Sequence, residues 1–477
     1  MLSWCAGFPR TGSGFWCARA SPAGPRSTTA TAGRWTARST SWSTTCTTSS
    51  TAISGWTLPS SGARSGRCCR LADASPANGA TSPLEGLLAG LRLALGAGTV
   101  ARQREALGGV VDWPAVAGLV AYHRVGALFL AGVRTGGVEV PDPEVARRLA
   151  LLRRRGVLRG ARQYAAMCRV TDALDAAGIP SLILKGLPLG QRLYGSPFAK
   201  SSIDVDLLVP EDGFGAAAGL LRELGWRRTV PDFRETPARM RWYDSVQKEH
   251  VFTGRGSRIE LHRRLLSNPF LFDPPFDALH SRALCVEVGP DRFCTLGDAD
   301  QLVYLGCHGS CHYWQRLKWL CDFAALLRTM GDDCLEQAAA AGRRARLETA
   351  IGAVLLLCRQ HLQVEPPQPI AALARDGAPV RLVTGLSRRA WKPRGGLRRI
   401  AWKTSSRVGR FVIGTGFRFR LHEARALLVR YQVFARLDLP DRLFWLYPLL
   451  WPLFGALRLR HAPGGTRPLV KAGPAPR

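Results

Sequence analysis

At 477 residues the chain exceeds what one hydrophobic core usually supports, roughly 250–300 residues, and calls for two or three domains. With 46% hydrophobic and 21% charged residues it can bury a sizeable core, and no apolar run reaches the roughly 18 residues of a membrane-spanning helix. The 66 Lys and Arg against 35 Asp and Glu leave a formal charge of +31, which favours phosphate-bearing partners or anionic surfaces, while 13 irregularly spaced cysteines read as reduced cytoplasmic thiols and exclude a disulfide framework.

Residues 1–82 hold a single acidic residue, Asp73, and Ser/Thr runs such as STSWSTTCTTSSTAIS that follow neither a helical nor a strand period. An Arg- and Ser-rich, acid-poor start suits a transit peptide, but isolated Trp4, Trp16, Trp35, Trp42 and Trp56 do not, and MLSWCAGFPR lacks the apolar stretch of a secretory signal. The favoured expectation is a disordered arm, or translation from a start placed too early in a GC-rich coding sequence.

From Pro83 the apolar spacing turns helical, with Asp112 as an N-cap ahead of Pro114, and an Arg-studded amphipathic helix runs on to Gly178 and Pro180. Its arginines read as a solvated face. Residues 83–178 are therefore expected to be a helical region. Over 179–290 the period changes: SLILKG and IDVDLLVP read as strands, LPLGQRLYG and GFGAAAGLLRELG as helices, and VQKEHVFTG and SRIELHRRL as two further strands. The expectation is an α/β core followed by a helical lobe over 291–380. Residues 381–477 form a basic helical region, with fourteen Lys or Arg against Glu423 alone between 381 and 430, and an apolar tail broken by Pro448 and Pro452.

The chemistry concentrates at Asp204 and Asp206. In a strand, residues two apart share a face, so these carboxylates would project together while Ile203, Val205 and Leu207 point the other way. Adjacent carboxylates repel and stay ionised most readily around a divalent cation, and hard oxygen donors suit Mg²⁺. Glu260, between aliphatic neighbours in RIELH, would add a third acid; the plainer alternative is an edge strand with solvated aspartates. Upstream, Leu182-Ile183-Leu184-Lys185-Gly186 ends a strand at a glycine that opens a helix, where backbone amides suit a triphosphate.

Strand, glycine turn, helix, Asp-x-Asp strand and a later strand with one acid resemble the DNA polymerase β-like nucleotidyltransferase superfamily. Within it, Lys185, Gly186, Leu189, Tyr194, Lys200, Asp204 and Asp206 resemble the core of an uncharacterised bacterial nucleotidyltransferase family. CHGSCHYWQRLKWLCDFAALL is similar to that family's helical H-x-x-x-H-x-W-x-x-L-x-W-x-x-D signature, and the likeness spans about residues 85–460. The resemblance implies an α+β fold, a polymerase β-like core of mixed sheet and helices with flanking helical regions, in which Asp204, Asp206 and Glu260 bind two Mg²⁺ or Mn²⁺ ions and Lys185, Gly186 and Lys200 contact an NTP. Tyr194, Lys248, His262, His308 and His312 would line the cleft. A nucleoside monophosphate would pass to an acceptor that is a small molecule, sugar, peptide, protein or tRNA. Two departures stand out: Leu187 replaces the serine common after the turn glycine, and Lys200 replaces an arginine, which loses bidentate phosphate geometry. The alternatives are a catalytically inactive nucleotide-sensing module and a basic RNA or membrane-surface adaptor.

Cys307, His308, Cys311 and His312 have helical i, i+4 spacings that could ligate zinc, but the resemblance uses only the histidines, so cleft lining or lobe packing is the preferred reading. The basic region could meet an anionic surface and the tail a membrane interface; a solvated face and a buried helical hairpin are preferred.

Overall fold

The computed structural model describes residues 80–450 apart from 394, 435 and 436, so the expectations for residues 1–79 and for the tail beyond residue 450 lie outside the described residues. Ser82 accepts a hydrogen bond from the Glu85 amide and caps α1 (Pro83–Ala94), which leads to α2 (Val100–Gly108). Asp112 caps α3 (Trp113–His123) as its position predicts, accepting from the Ala115 amide at 2.9 Å, and α4 (Gly126–Thr135) follows. The amphipathic segment forms α5 (Pro143–Ala176), 34 residues long, and stops where Gly178 takes a positive φ of 69°. Its arginines lie on the exposed side, as the solvated-face reading requires.

The expected strands and helices of the core appear in order: β1 (Leu182–Ile183), α6 (Leu187–Tyr194), β2 (Val205–Leu208) and α7 (Phe214–Glu223). Next come β3 (Arg227–Val230) and α8 (Pro237–Val246), neither of which has a clear sequence period. The sheet is completed by β4 (Glu249–Gly254) and β5 (Ser257–His262), giving the order β1-β2-β5-β4-β3. Only the β2–β5 pair is parallel, so the sheet is mixed and the fold is α+β. A short α9 (Phe276–His280) and a hairpin of β6 (Leu284–Val288) and β7 (Asp291–Thr295) precede the helical lobe.

That lobe contains α10 (Asp298–Cys311), α11 (Leu317–Thr329), α12 (Asp332–Arg344), α13 (Glu348–Leu357) and α14 (Gln368–Ala371). The basic region supplies α15 (Ala378–Ala390), α16 (Gly396–Gly409) and α17 (Phe417–Leu428).

Alternation along β2 positions the site. Val205 and Leu207 go into an apolar cluster with Ala166 and Val170 of α5 and Ala217 and Leu221 of α7. Each fully buried aliphatic side chain contributes roughly 1.5–3 kcal/mol, which pins the register. The same alternation turns Asp206 to the opposite face, toward the helical lobe. Ile203 departs from the expected pattern: it precedes the strand and is exposed. A second, larger core joins α1, α3 and α4 to α10, α11, α13 and α15, so the helices on both sides of the sheet's sequence bury one another.

Candidate active site

Parallel pairing sets Asp206 of β2 beside Glu260 of β5, and antiparallel pairing sets Glu249 of β4 beside His262 of β5. Residues two apart on a strand share a face, so Asp206, Glu260, His262 and Glu249 cluster on one side of the sheet. Asp206 is buried; its Oδ1 lies 3.0 Å from the Lys185 amine and 3.5 Å from His262 Nε2, yet it accepts no hydrogen bond. Glu249 lies 2.5 Å from Lys248 and 3.2 Å from His262 Nε2, and Arg258 reaches Glu260 at 2.8 Å.

These neighbours push the acids apart. Burial raises the Asp206 pKa, but Lys185 and then His262 outweigh it and hold the carboxyl well below its usual range. Glu249 is likewise lowered to about 2, Lys248 and His262 overcoming the effect of burial. Glu260 goes the other way: burial, then the charges of Asp206 and Glu249, push it up to about 8, and the charge of Lys248 does not offset them. His262 stays neutral because burial and Lys248 both lower its pKa.

The cluster opens into a cavity of about 400 Å³ between the sheet and α10 and α11. Of the residues singled out in the sequence, Lys185, Gly186, Lys200, Asp204, Asp206, Lys248, Glu260, His308 and His312 line it. Tyr194 and His262 do not form its wall; they stand behind residues that do. Gly186 opens α6 with φ at 83°, and a side chain there would meet nothing within 4 Å. Pro188 in the first turn of that helix lacks an N–H, which removes one backbone donor from the turn.

Lys200 and Asp322 of α11 form a buried ion pair, and the Tyr194 hydroxyl donates to the same carboxylate at 3.1 Å. His308 Nε2 lies 3.5 Å from the Lys185 amine, and Trp319 contacts the rings of both His308 and His312. His308 is buried and held neutral, chiefly by that burial, whereas His312 is exposed. Cys311 lines the cavity whereas Cys307 is buried in the large apolar core.

Among the described residues, Asp206, Glu260 and His262 are the group whose ligand atoms lie within 4.8 Å of one another. Two carboxylates, a neutral imidazole and an Asp206 oxygen without a hydrogen bond make a donor set that fits a divalent cation. Asp204 stands one residue ahead of β2, accepts from the Ser202 hydroxyl at 3.0 Å, and lies outside that trio while lining the same cavity. Five charged wall residues escaped the sequence reading: Arg124, Glu249, Lys318, Asp322 and Arg410. Glu249, Lys318 and Asp322 lie inside segments that carried the family resemblance, so those segments were the available signal. Arg410 comes from the basic region, where nothing in the pattern distinguishes it from its neighbours.

The model of a family described as "Uncharacterised nucleotidyltransferase" matches residues 109–363, which include every carboxylate of the cavity. A search of the curated proteins finds no match. Among solved structures, the antibiotic-resistance factor ANT(2'')-Ia, titled for its substrate-regulated conformation dynamics, aligns at 14% identity over 39% of this chain and 95% of its own, with a TM-score of 0.28. A likeness that weak adds nothing to the argument from the sheet.

Proposed function

Because the chain belongs to the uncharacterised nucleotidyltransferase family, we propose that it transfers a nucleoside monophosphate from an NTP to a hydroxyl-type acceptor. The observation that carries this reading is the register that sets Asp206 beside Glu260 on the sheet face lining the cavity, with Lys185 and the Gly186 turn at the same wall. In the reaction the acceptor oxygen forms a bond to the α-phosphorus, the bond to the β-phosphate oxygen breaks, pyrophosphate leaves and the hydroxyl proton is lost.

Asp204, Asp206 and Glu260 would hold the divalent cations, with His262 completing the set around Asp206. Bound there, such cations supply neutralisation of the phosphates and a lowered pKa for the acceptor hydroxyl. Lys185 stands where it counters charge developing on the phosphates, and the positive-φ glycine lets backbone approach them closely. The cavity walls orient the acceptor and exclude water.

A nucleotide-sensing role is the second reading, favoured by one feature: Leu187 and Pro188 together take a hydroxyl and an N–H away from the phosphate turn. The deciding experiment incubates the purified protein with labelled NTPs, Mg²⁺ and a cell extract while following pyrophosphate. Transfer lost in Asp206→Asn and slowed in Glu260→Gln supports the enzyme, whereas metal-dependent NTP binding without pyrophosphate leaves the sensor. No divalent-dependent NTP binding at all sinks both.

A further inference from the structure

The cations of the cavity differ in what balances them. Lys185 faces Asp206 at 3.0 Å, Lys248 faces Glu249 at 2.5 Å, Arg410 faces Glu423 at 3.0 Å, and Lys200 is paired with Asp322. Arg124 and Lys318 line the same wall and, among the described residues, form no ion pair. Lys318 is nine-tenths buried, yet its amine makes one hydrogen bond, to the Ser201 carbonyl at 3.2 Å. Burying an ammonium without a counter-charge is costly, so such a group persists where a ligand completes it. Arg124 ends α3 in the left-handed conformation, with φ at 61°. Next to both is Asp204, the cavity carboxylate whose charge no lysine or arginine pairs.

We propose that Arg124 and Lys318 are the seat of the polyphosphate chain of the NTP, with Asp204 facing the cation that accompanies it. The proposal rests on the nucleotidyl-transfer reading and adds to it the end of the cavity at which the β- and γ-phosphates bind. A guanidinium matches two phosphate oxygens with parallel N–H donors, and the Lys318 amine keeps two N–H groups for a third. The Lys200–Asp322 pair beside them is already neutral and serves to hold α11, and with it Lys318, against the loop before β2.

Calorimetric titration of the full chain with MgATP, inorganic tripolyphosphate and AMP tests this, comparing wild type with Lys318→Met, Lys318→Arg and Arg124→Gln. Lys318→Met and Arg124→Gln are expected to weaken MgATP and tripolyphosphate by about tenfold or more, the size of one charged hydrogen bond, with AMP unchanged. Lys318→Arg is expected to recover most of the loss. Thermal melting separates folding from binding, because tripolyphosphate should raise the wild-type midpoint and raise that of Lys318→Met less at the same concentration. MgATP binding equally well to wild type and Lys318→Met overturns the proposal and leaves nucleotidyl transfer intact. Lys318-dependent tripolyphosphate binding without any transfer keeps the proposal and removes the reading beneath it, and a wild type that binds neither ligand removes both.

A second, independent observation lies in the β6–β7 hairpin. Cys285 and Cys294 are register partners, their sulfurs are 2.8 Å apart, and Cys285 is exposed. Opposed residues of an antiparallel pair keep Cα atoms about 4.5–5.5 Å apart, which a disulfide spans. We infer that a peroxide oxidises this pair. One S–S bond forms, two S–H bonds break, and the peroxide O–O bond takes the two electrons and two protons to leave two waters. Peroxide treatment followed by alkylation and peptide mass mapping should show a 285–294 disulfide that thiols reverse and that Cys285→Ser abolishes. Both thiols still alkylated after peroxide treatment, or a disulfide mapped elsewhere, overturns it.

Discussion

Asp206 shows how pairing changes what a substitution does. Asp206→Asn keeps the side-chain volume but leaves the mostly buried Lys185 amine, 3.0 Å away, without its counter-charge. Breaking one partner of a buried pair costs about 3–5 kcal/mol, so the variant should lose stability together with transfer. Asp206→Asn combined with Lys185→Met should regain the stability and remain inactive, which denaturant unfolding and a transfer assay check side by side. His123 carries a second prediction. Its Nε2–H donates to the Trp391 carbonyl at 3.0 Å and its Nδ1 accepts from the Leu317 amide at 3.1 Å, so only the neutral ring satisfies both. Burial lowers its pKa to about 3 from 6.5, and burial also lowers the partly buried His361 to about 4. A histidine whose folded pKa is depressed contributes stability that is complete above 6.5 and is lost as pH falls toward the folded value. Protonation of the fully buried His123 weakens the fold by up to about 1.4 kcal/mol per pH unit below 6.5. Chemical unfolding between pH 7 and pH 4 should show this decline, and His123→Gln should make it shallower.

At the level of elements, α11 links the core to the site. Leu320, Phe323, Ala324 and Leu327 bury one side of it, while Lys318, Trp319 and Asp322 reach the cavity from the other. Arg316 at its N-cap makes no side-chain cap, and His123, far away in sequence, takes the Leu317 amide instead. The turn into α6 gives the third prediction. Gly186 has φ at 83° with ψ at −133°, and although a Cβ there would have room, an L residue strains in that backbone region. Gly186→Ala should therefore cost about 1–3 kcal/mol and weaken NTP binding without any steric clash, measurable by unfolding and by nucleotide titration. Glycine ending an apolar strand made this turn legible in the sequence. The cap of α11 was not legible, because a hydrogen bond across 194 residues leaves no local pattern.

For the molecule as a whole, the described residues 80–450 fall in one compact unit, and its N-terminal edge is set by two contacts. Thr81 donates its amide to the Gly109 carbonyl at 2.8 Å, and Ser82 caps α1. A chain starting at residue 82 would sever the first of these. Removal of residues 1–75 should leave the melting temperature and NTP binding unchanged, whereas removal through Ser82 should lower stability by roughly 1–2 kcal/mol, as loss of a cap does. Among the described residues, no helix is long and apolar enough to cross a membrane.

Local pattern was enough for strands mixed with helices over 179–290, the capped α3, the long α5, the glycine turn and the acids of β2 and β5. Each rests on periods and residue types within a few positions of one another, and the apolar alternation of β2 also settled which way Asp206 points. What charge each group carries in the cavity was decided only by tertiary structure. Lys200 meets Asp322 across 122 residues, Glu249 joins Asp206 and His262 through strand pairing, and Arg410 arrives from beyond the family match. Coulomb energy depends on separations of a few ångströms, and sequence distance does not report them. The same reason explains why a chain with 66 basic residues keeps two cavity cations, Arg124 and Lys318, without an ion pair among the described residues: folding, and not composition, determined where each carboxylate went.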